Sequence, residues 1–195
     1  ISFRVAPRIN SAGRIASPLL AYNLLIEEDP DKADKMAQEL IDCNKTRKSM
    51  QTHMEEEALK QIEKSKGFKN GIAIYNERFH AGINGIVASK IVDKHSVPSL
   101  VMSKCGDSIK GSGRAPDGVD LQAILKKCED LFVTYGGHEA AAGVTLKSDK
   151  VDVISKRFDK ACKEYFKEHG KPSKIRFYDA KLKSTAISSE TSQLI

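Results

Sequence analysis

The sequence has no cysteine pair at metal or redox spacing, no long apolar run and none of the motifs of a self-contained hydrolase. Its four cysteines, Cys43, Cys105, Cys128 and Cys162, are widely separated singles, so neither a zinc ligand set nor a redox C-x-x-C is indicated. Reduced thiols in a cytoplasmic protein are the resulting expectation. No apolar stretch approaches the roughly 20 residues of a membrane span, and no charged-then-apolar leader opens the chain, so no membrane partner is expected. HExxH, a serine nucleophile elbow and a Walker loop are all missing. The acidic groups Asp29-Asp31-Asp34 and Glu55-Glu56-Glu57 fall on helix surfaces and read as solvated faces. The chain opens at Ile1 in mid-pattern and reads as a piece of a longer protein that recognises phosphate without chemistry of its own.

What is present suits one domain with a core and some appendages: 195 residues, 40% of them hydrophobic and 30% charged. The formal charge of +6 suits a polyanionic partner, although the lysines are scattered along every helix.

Residues 1–16 contain Pro7, Asn10 and Gly13 and read as a loop. That loop carries Arg4, Arg8 and Arg14, either as a solvated basic segment or, through Arg14 beside Gly13, as a phosphate contact. Ser17-Pro18 and Asp29-Pro30 are cap-plus-proline signals. The first opens a short apolar helix to about Glu28. The second opens a helix to about Lys66 with no Gly or Pro inside. Its apolar stripe is interrupted at Asn44 and Arg47. A helix of that length spans on the order of 50 Å and bridges two bodies.

Beyond Gly67 the pattern predicts a strand at Ile72–Tyr75, a helix after Gly82 and Gly85, and strands at Ser99–Met102 and from Ser108. A helix over Leu121–Leu131, a strand at Ala142–Leu146 and a long amphipathic helix from Asp149 to His169 come next. This order argues for an α/β fold with one mixed sheet flanked by helices, preceded by the long connecting helix.

The most informative stretch runs from Gly111 to Gly143. Gly111-Ser112-Gly113-Arg114 and Tyr135-Gly136-Gly137-His138 read as two Gly-rich turns on either side of one helix. Hydroxyl, guanidinium and open backbone N–H groups are what a phosphate needs. Either turn alone could be an ordinary surface turn; the pairing points to a shared phosphate.

Four separated segments resemble the RecJ single-strand-specific exonucleases of the DHH phosphoesterase superfamily. APRINSAGR (6–14) is similar to that family's linker motif, and HAGINGIVASKI (80–91) to the segment opening its DHH-associated domain. GSGR (111–114) and GGHEAAAG (136–143) resemble that domain's substrate motifs. Asn44 and Arg47 resemble an N-x-x-R feature of the family's connecting helix. GGH occurs across the superfamily, whereas its combination with the linker motif is specific to RecJ. The chain departs from the pattern in small ways, with Ser11 for a family alanine and Phe79 for a frequent tryptophan.

The resemblance implies degradation of single-stranded DNA from the 5′ end, in recombination and repair, by a DHH domain that uses manganese or magnesium. It implies that Arg8 or Arg14, Ser112 and Arg114 hold the 5′-terminal phosphate or nearby backbone. Gly136 and Gly137 would present donors toward the scissile phosphate, and His138 would stabilise charge on its oxygens. His80 joins the candidate set, against the alternative of a hydrogen-bonded structural histidine. It also implies four regions: 1–29 as the edge of a catalytic domain with the linker motif, 30–66 as the connecting helix, 67–170 as the DHH-associated substrate-binding domain, and 171–195 as the start of an oligonucleotide-binding domain or a tail. Two alternatives stand beside this reading. One is a DHH phosphodiesterase for short oligoribonucleotides or cyclic dinucleotides; the other is a nucleic-acid-binding module with no enzyme attached.

Overall fold

The computed structural model describes residues 3–65 and 69–172, with isolated positions beyond at 181, 184 and 187–189. The strand expected at Lys174–Tyr178 and the helix expected near Glu190 lie outside the described residues.

Helices α1 (Ala6–Ile15), α2 (Leu19–Ile26) and α3 (Pro30–Lys64) come first. The sequence predicts a loop over residues 1–16, and α1 corrects that. Pro7 sits in its first turn, where its missing N–H costs nothing. Asn10 and Gly13 are carried inside because Ser11 and Ala12 are buried, and packing against α3 outweighs weak propensity. Asp29 caps α3 as its sequence implies, accepting from the N–H groups of Asp31 and Lys32 at 3.0 and 3.3 Å. The 35 residues of α3 span about 52 Å. Leu40 of α3, Ala12 and Ala21 form a small core where the first three helices meet.

The remainder is the α/β body: β1 (Ile72–Tyr75), α4 (Ala81–His95), β2 (Ser99–Cys105), β3 (Ser108–Arg114), α5 (Leu121–Lys126), β4 (Phe132–His138), β5 (Ala141–Lys147) and α6 (Val151–His169). The sheet is mixed, in the order β1-β2-β3-β5-β4. β1 and β2 are parallel, as a βαβ crossover through α4 requires, and the other pairs are antiparallel. One core lies between the sheet and α5–α6, built on Leu100, Met102, Ile109, Leu146, Ile154 and Phe158. A second lies on the opposite face under α3 and α4, with Met54, Ile72, Ile83, Val87 and Val101. Asp159 of α6 ties the entry to β1, its Oδ1 accepting from the amides of Lys69, Asn70 and Gly71 at 3.1, 2.8 and 3.1 Å.

The two glycine-rich segments are not turns. Gly111–Arg114 is the second half of β3, and Gly136–His138 is the end of β4, a strand that the sequence pattern does not predict. The turn itself is Glu139-Ala140, between β4 and β5. The helix expected to reach Leu131 stops at Lys126, and a 3-10 turn over Glu129–Leu131 leads into β4. Glycine survives inside β3 because the core leaves no room for a side chain. A Cβ on Gly111 would lie 2.7 Å from both Met102 Cγ and Val144 Cγ2.

Candidate nucleic-acid interface

In an antiparallel ladder, residues directly opposite one another point to the same face. Arg114 pairs with Ala141, and Ala141 pairs with His138. Ser112 pairs with Gly143, which pairs with Gly136, and Lys110 pairs with Thr145. All of these point away from the α5–α6 core, whose side of β3 and β5 is taken by Ile109, Gly111, Gly113, Ala142, Val144 and Leu146. Arg114, Ser112 and His138 therefore share one open face. Arg114 and His138 are two strand spacings apart, about 10 Å.

α4 packs over β2 and β3 and borders this face. Asn84, 1% exposed, ties it down by donating to Ser103 Oγ at 2.9 Å and to the Lys110 carbonyl at 3.2 Å. An open hollow of about 310 Å³ lies between the start of α4 and strands β3 and β5, lined by Ala81, Asn84, Lys110, Ser112, Gly143 and Thr145 among others. Its floor is bare at Gly143, and Gly136 continues the same row. A Cβ at either position would meet no atom within 4 Å, so internal packing does not require glycine there. Gly137 is the opposite case. Its φ is +155°, and a Cβ would lie 2.3 Å from the Ala141 carbonyl oxygen.

Arg14 stands between two further arginines, Arg47 and Arg114, and acts on the charge of both. Arg14 at the end of α1 donates from Nη1 to the carbonyl of Gly82 at 3.4 Å, which places it at the head of α4. Two glycines permit the approach: a Cβ on Gly82 would sit 2.0 Å from the Arg14 carbonyl oxygen, and one on Gly85 would sit 2.7 Å from Arg114 Nη2. Arg47 comes from the middle of α3, its guanidinium bonded to Asn44 Oδ1 at 2.9 Å and to Gln51 Oε1. Burial, then the charge of Arg14, holds the Arg114 guanidinium below the usual arginine range. The same two causes act in the same order on Arg47. Among the described residues none of the three is ion-paired with a carboxylate. The nearest acid in that network, Glu55, accepts from Gln51 Nε2 at 2.7 Å, one residue removed from Arg47. Cations gathered without a counter-ion leave a place that an anion with several oxygens can fill.

The remaining sequence candidates lie around this cluster. Arg8 is six residues before Arg14 on α1, about 120° round the helix axis, with its side chain exposed. The structure does not bring it into the cluster. His80 is the N-cap of α4, its Nδ1 accepting from the Gly82 N–H at 3.2 Å. That is a structural task beside the cluster. His138 is exposed at the end of the edge strand β4, and Gly136 precedes it by two residues. The Gly137 carbonyl accepts from Gln122 Nε2, which fixes the strand end against α5. Sequence reasoning left Arg47 out of the site. The signal that could have found it was the polar break in the α3 stripe at Asn44 and Arg47. Among the described residues no three His, Cys, Asp or Glu side chains gather where they could hold a metal ion, and no helix is long and apolar enough to cross a membrane.

Residues 69–164 match the DHHA1 domain. Over 161 residues the chain is 35% identical to the single-stranded-DNA-specific exonuclease RecJ of Bacillus subtilis (strain 168), covering 82% of this chain and 20% of that protein. It is 31% identical to the RecJ of Salmonella typhimurium (strain LT2), covering all of this chain and 35% of that one. RecJ of Thermus thermophilus, solved in complex with Mn²⁺, superposes with a TM-score of 0.76 at 28% identity, covering 84% of this chain and 24% of that chain. The same protein in complex with Mg²⁺ gives 0.75 at 28% identity over 84% and 25%. This chain thus spans between a fifth and about a third of the length of the curated relatives it matches. With its mixed sheet, its long leading helix and its DHHA1 domain, the chain is a RecJ-like segment of the DHH superfamily.

Proposed function

We propose that the chain is the substrate-binding portion of a single-stranded-DNA-specific exonuclease that hydrolyses phosphodiester bonds from the 5′ end in recombination and repair. The observation that carries this is the convergence of Arg14, Arg47 and Arg114, without a carboxylate partner, beside an open sheet face bearing Ser112 and His138. In this reading the three guanidiniums hold the 5′-terminal phosphate through charge-assisted hydrogen bonds. Ser112 adds a hydroxyl donor. The bare row Ser112–Gly143–Gly136 lets the nucleotide lie against the strand backbone. His138, about 10 Å from Arg114, stands where the next phosphate of a bound strand would lie and is placed to stabilise charge on its oxygens.

The described residues do not provide a metal-ligand set. The manganese or magnesium of such an enzyme would be held by a DHH domain outside this chain, and this chain alone would bind without cutting. The regional plan is part of the same proposal: 1–29 packs against that domain, 30–66 bridges, 67–170 binds substrate, and 171–195 begins an oligonucleotide-binding domain or a tail. The exposed apolar face of α2, with Leu19 at 62%, Tyr22 at 57% and Leu25 at 68% exposure, supports a packing role for the first region.

The test compares 5′-phosphorylated with 5′-hydroxyl oligothymidine, using the full-length protein in chelator. The phosphorylated form should bind more tightly, and Arg114→Ala should remove most of that preference, about 1.5–3 kcal/mol. Equal affinity for the two ends, unchanged in the variant, would sink the proposal.

A further inference from the structure

The cation at the far end of the hollow has no role in the terminal-phosphate reading. Lys110 is exposed, lines the hollow and has no ion pair among the described residues. It lies on the same face as Ser112 and Arg114, because the three alternate along β3. At about 3.4 Å per residue, Lys110 and Arg114 are some 13–14 Å apart, with Ser112 midway. Directly opposite this face, β5 presents Ala141, Gly143 and Thr145, and β4 presents Gly136 and His138. Those positions include neither an acid nor a large apolar side chain. The face is therefore a short trough, cationic at both ends, with a hydroxyl and two bare glycines between. Asn84 holds the Lys110 carbonyl, so the backbone that carries this lysine is fixed to α4.

We propose that Lys110 is a further phosphate contact, which takes the strand's backbone two nucleotides in from the end held at Arg114, past the phosphate beside His138. A trough of this length is too long for one phosphate and suits a short run of single strand, whose successive phosphates follow a cationic groove. Lysine fits the task because it contributes a mobile point charge, whereas the terminal phosphate takes the fixed forks of arginine. The proposal rests on the reading that this face binds a 5′-phosphorylated strand. It adds that the site counts more than one nucleotide.

The experiment uses the full-length protein in chelator and two probes, thymidine 5′-monophosphate and 5′-phosphorylated trithymidylate. Lys110→Ala should weaken the trinucleotide about fivefold to tenfold and lower the slope of log affinity against log salt by about 0.7, the value for one phosphate contact on a single strand. It should leave the mononucleotide unchanged, and Lys110→Arg should restore the trinucleotide. Equal weakening of both probes would reduce Lys110 to general attraction and overturn the proposal, as would no effect on either. Arg114→Ala should weaken both probes. If it weakens neither while Lys110→Ala still acts on the trinucleotide, the terminal-phosphate reading fails and the further contact stands. Lys110 is exposed, so its variants should melt with the parent.

Discussion

Gly85 and Gly82 lie one turn apart on α4, and the same substitution should act on them in opposite ways. A Cβ at Gly85 would be 2.7 Å from Arg114 Nη2 and 3.3 Å from Cζ, the far end of a flexible side chain. The fold can accept it by moving the guanidinium. Alanine also gains up to about 1 kcal/mol over glycine inside a helix. Gly85→Ala should therefore leave the melting temperature unchanged or raise it. The displaced guanidinium would lose part of a charge-assisted contact of about 1.5–3 kcal/mol. With tenfold per 1.4 kcal/mol, affinity for a 5′-phosphorylated oligonucleotide should fall about tenfold. Affinity for the 5′-hydroxyl form should not change. At Gly82 the obstacle is the Arg14 carbonyl oxygen, 2.0 Å away, and backbone cannot swing aside. Gly82→Ala must separate α1 from α4 and should cost about 1–3 kcal/mol, as overpacking does. Thermal denaturation and fluorescence anisotropy on both variants decide the matter. If Gly85→Ala destabilises as much as Gly82→Ala and keeps the 5′-phosphate preference, the placement of Arg114 against α4 is wrong.

Asp159→Ala would strip the acceptor from three amides at the entry to β1 and should cost about 1–3 kcal/mol in chemical denaturation; Asp159→Asn, which keeps one oxygen, should cost less. Phe158 is fully buried, and Phe158→Ala should cost about 3–5 kcal/mol in the same measurement. Burial pushes the Cys128 thiol up from 9.0 to about 11 and raises that of Cys162 further. Because a raised value means less thiolate, a maleimide at pH 8 should label exposed Cys105 first, and should reach Cys128 and Cys162 only after unfolding.

The parts legible in the sequence were those with strong periodicity and local caps. Asp29-Pro30 marked the start of α3, and the apolar spacing of α6 marked Ile154, Phe158 and Cys162 as core. The sequence misled where glycine and proline were taken at their local value. Pro7 and Gly13 argued for a loop, but the small residues Ser11 and Ala12 let α1 pack closely enough to hold a helix. The glycines of β3 and β4 argued for turns, although their backbones are paired along a ladder whose partners come from distant residues. That ladder is also what sets Arg114 and His138 on one face. No local pattern encodes such a placement, because it depends on which residue of β5 lies between them. Arg47 was visible as an interruption of an apolar stripe and as half of an N-x-x-R feature, and neither signal places it beside the other arginines. Its meaning comes from α1, whose Arg14 acts on both Arg47 and Arg114.

Arg14, Arg47 and Arg114 should share one terminal phosphate. A crystal of the full-length protein with an oligothymidine bearing a 5′-thiophosphate tests it, because the sulfur marks the strand end by anomalous scattering. A single peak is expected within hydrogen-bond reach of the three guanidiniums, with the terminal nucleotide over Ser112 and Gly143. A peak elsewhere, such as the groove lined by Lys127, Arg157, Lys160 and Glu164 on the opposite side of the sheet, would contradict it.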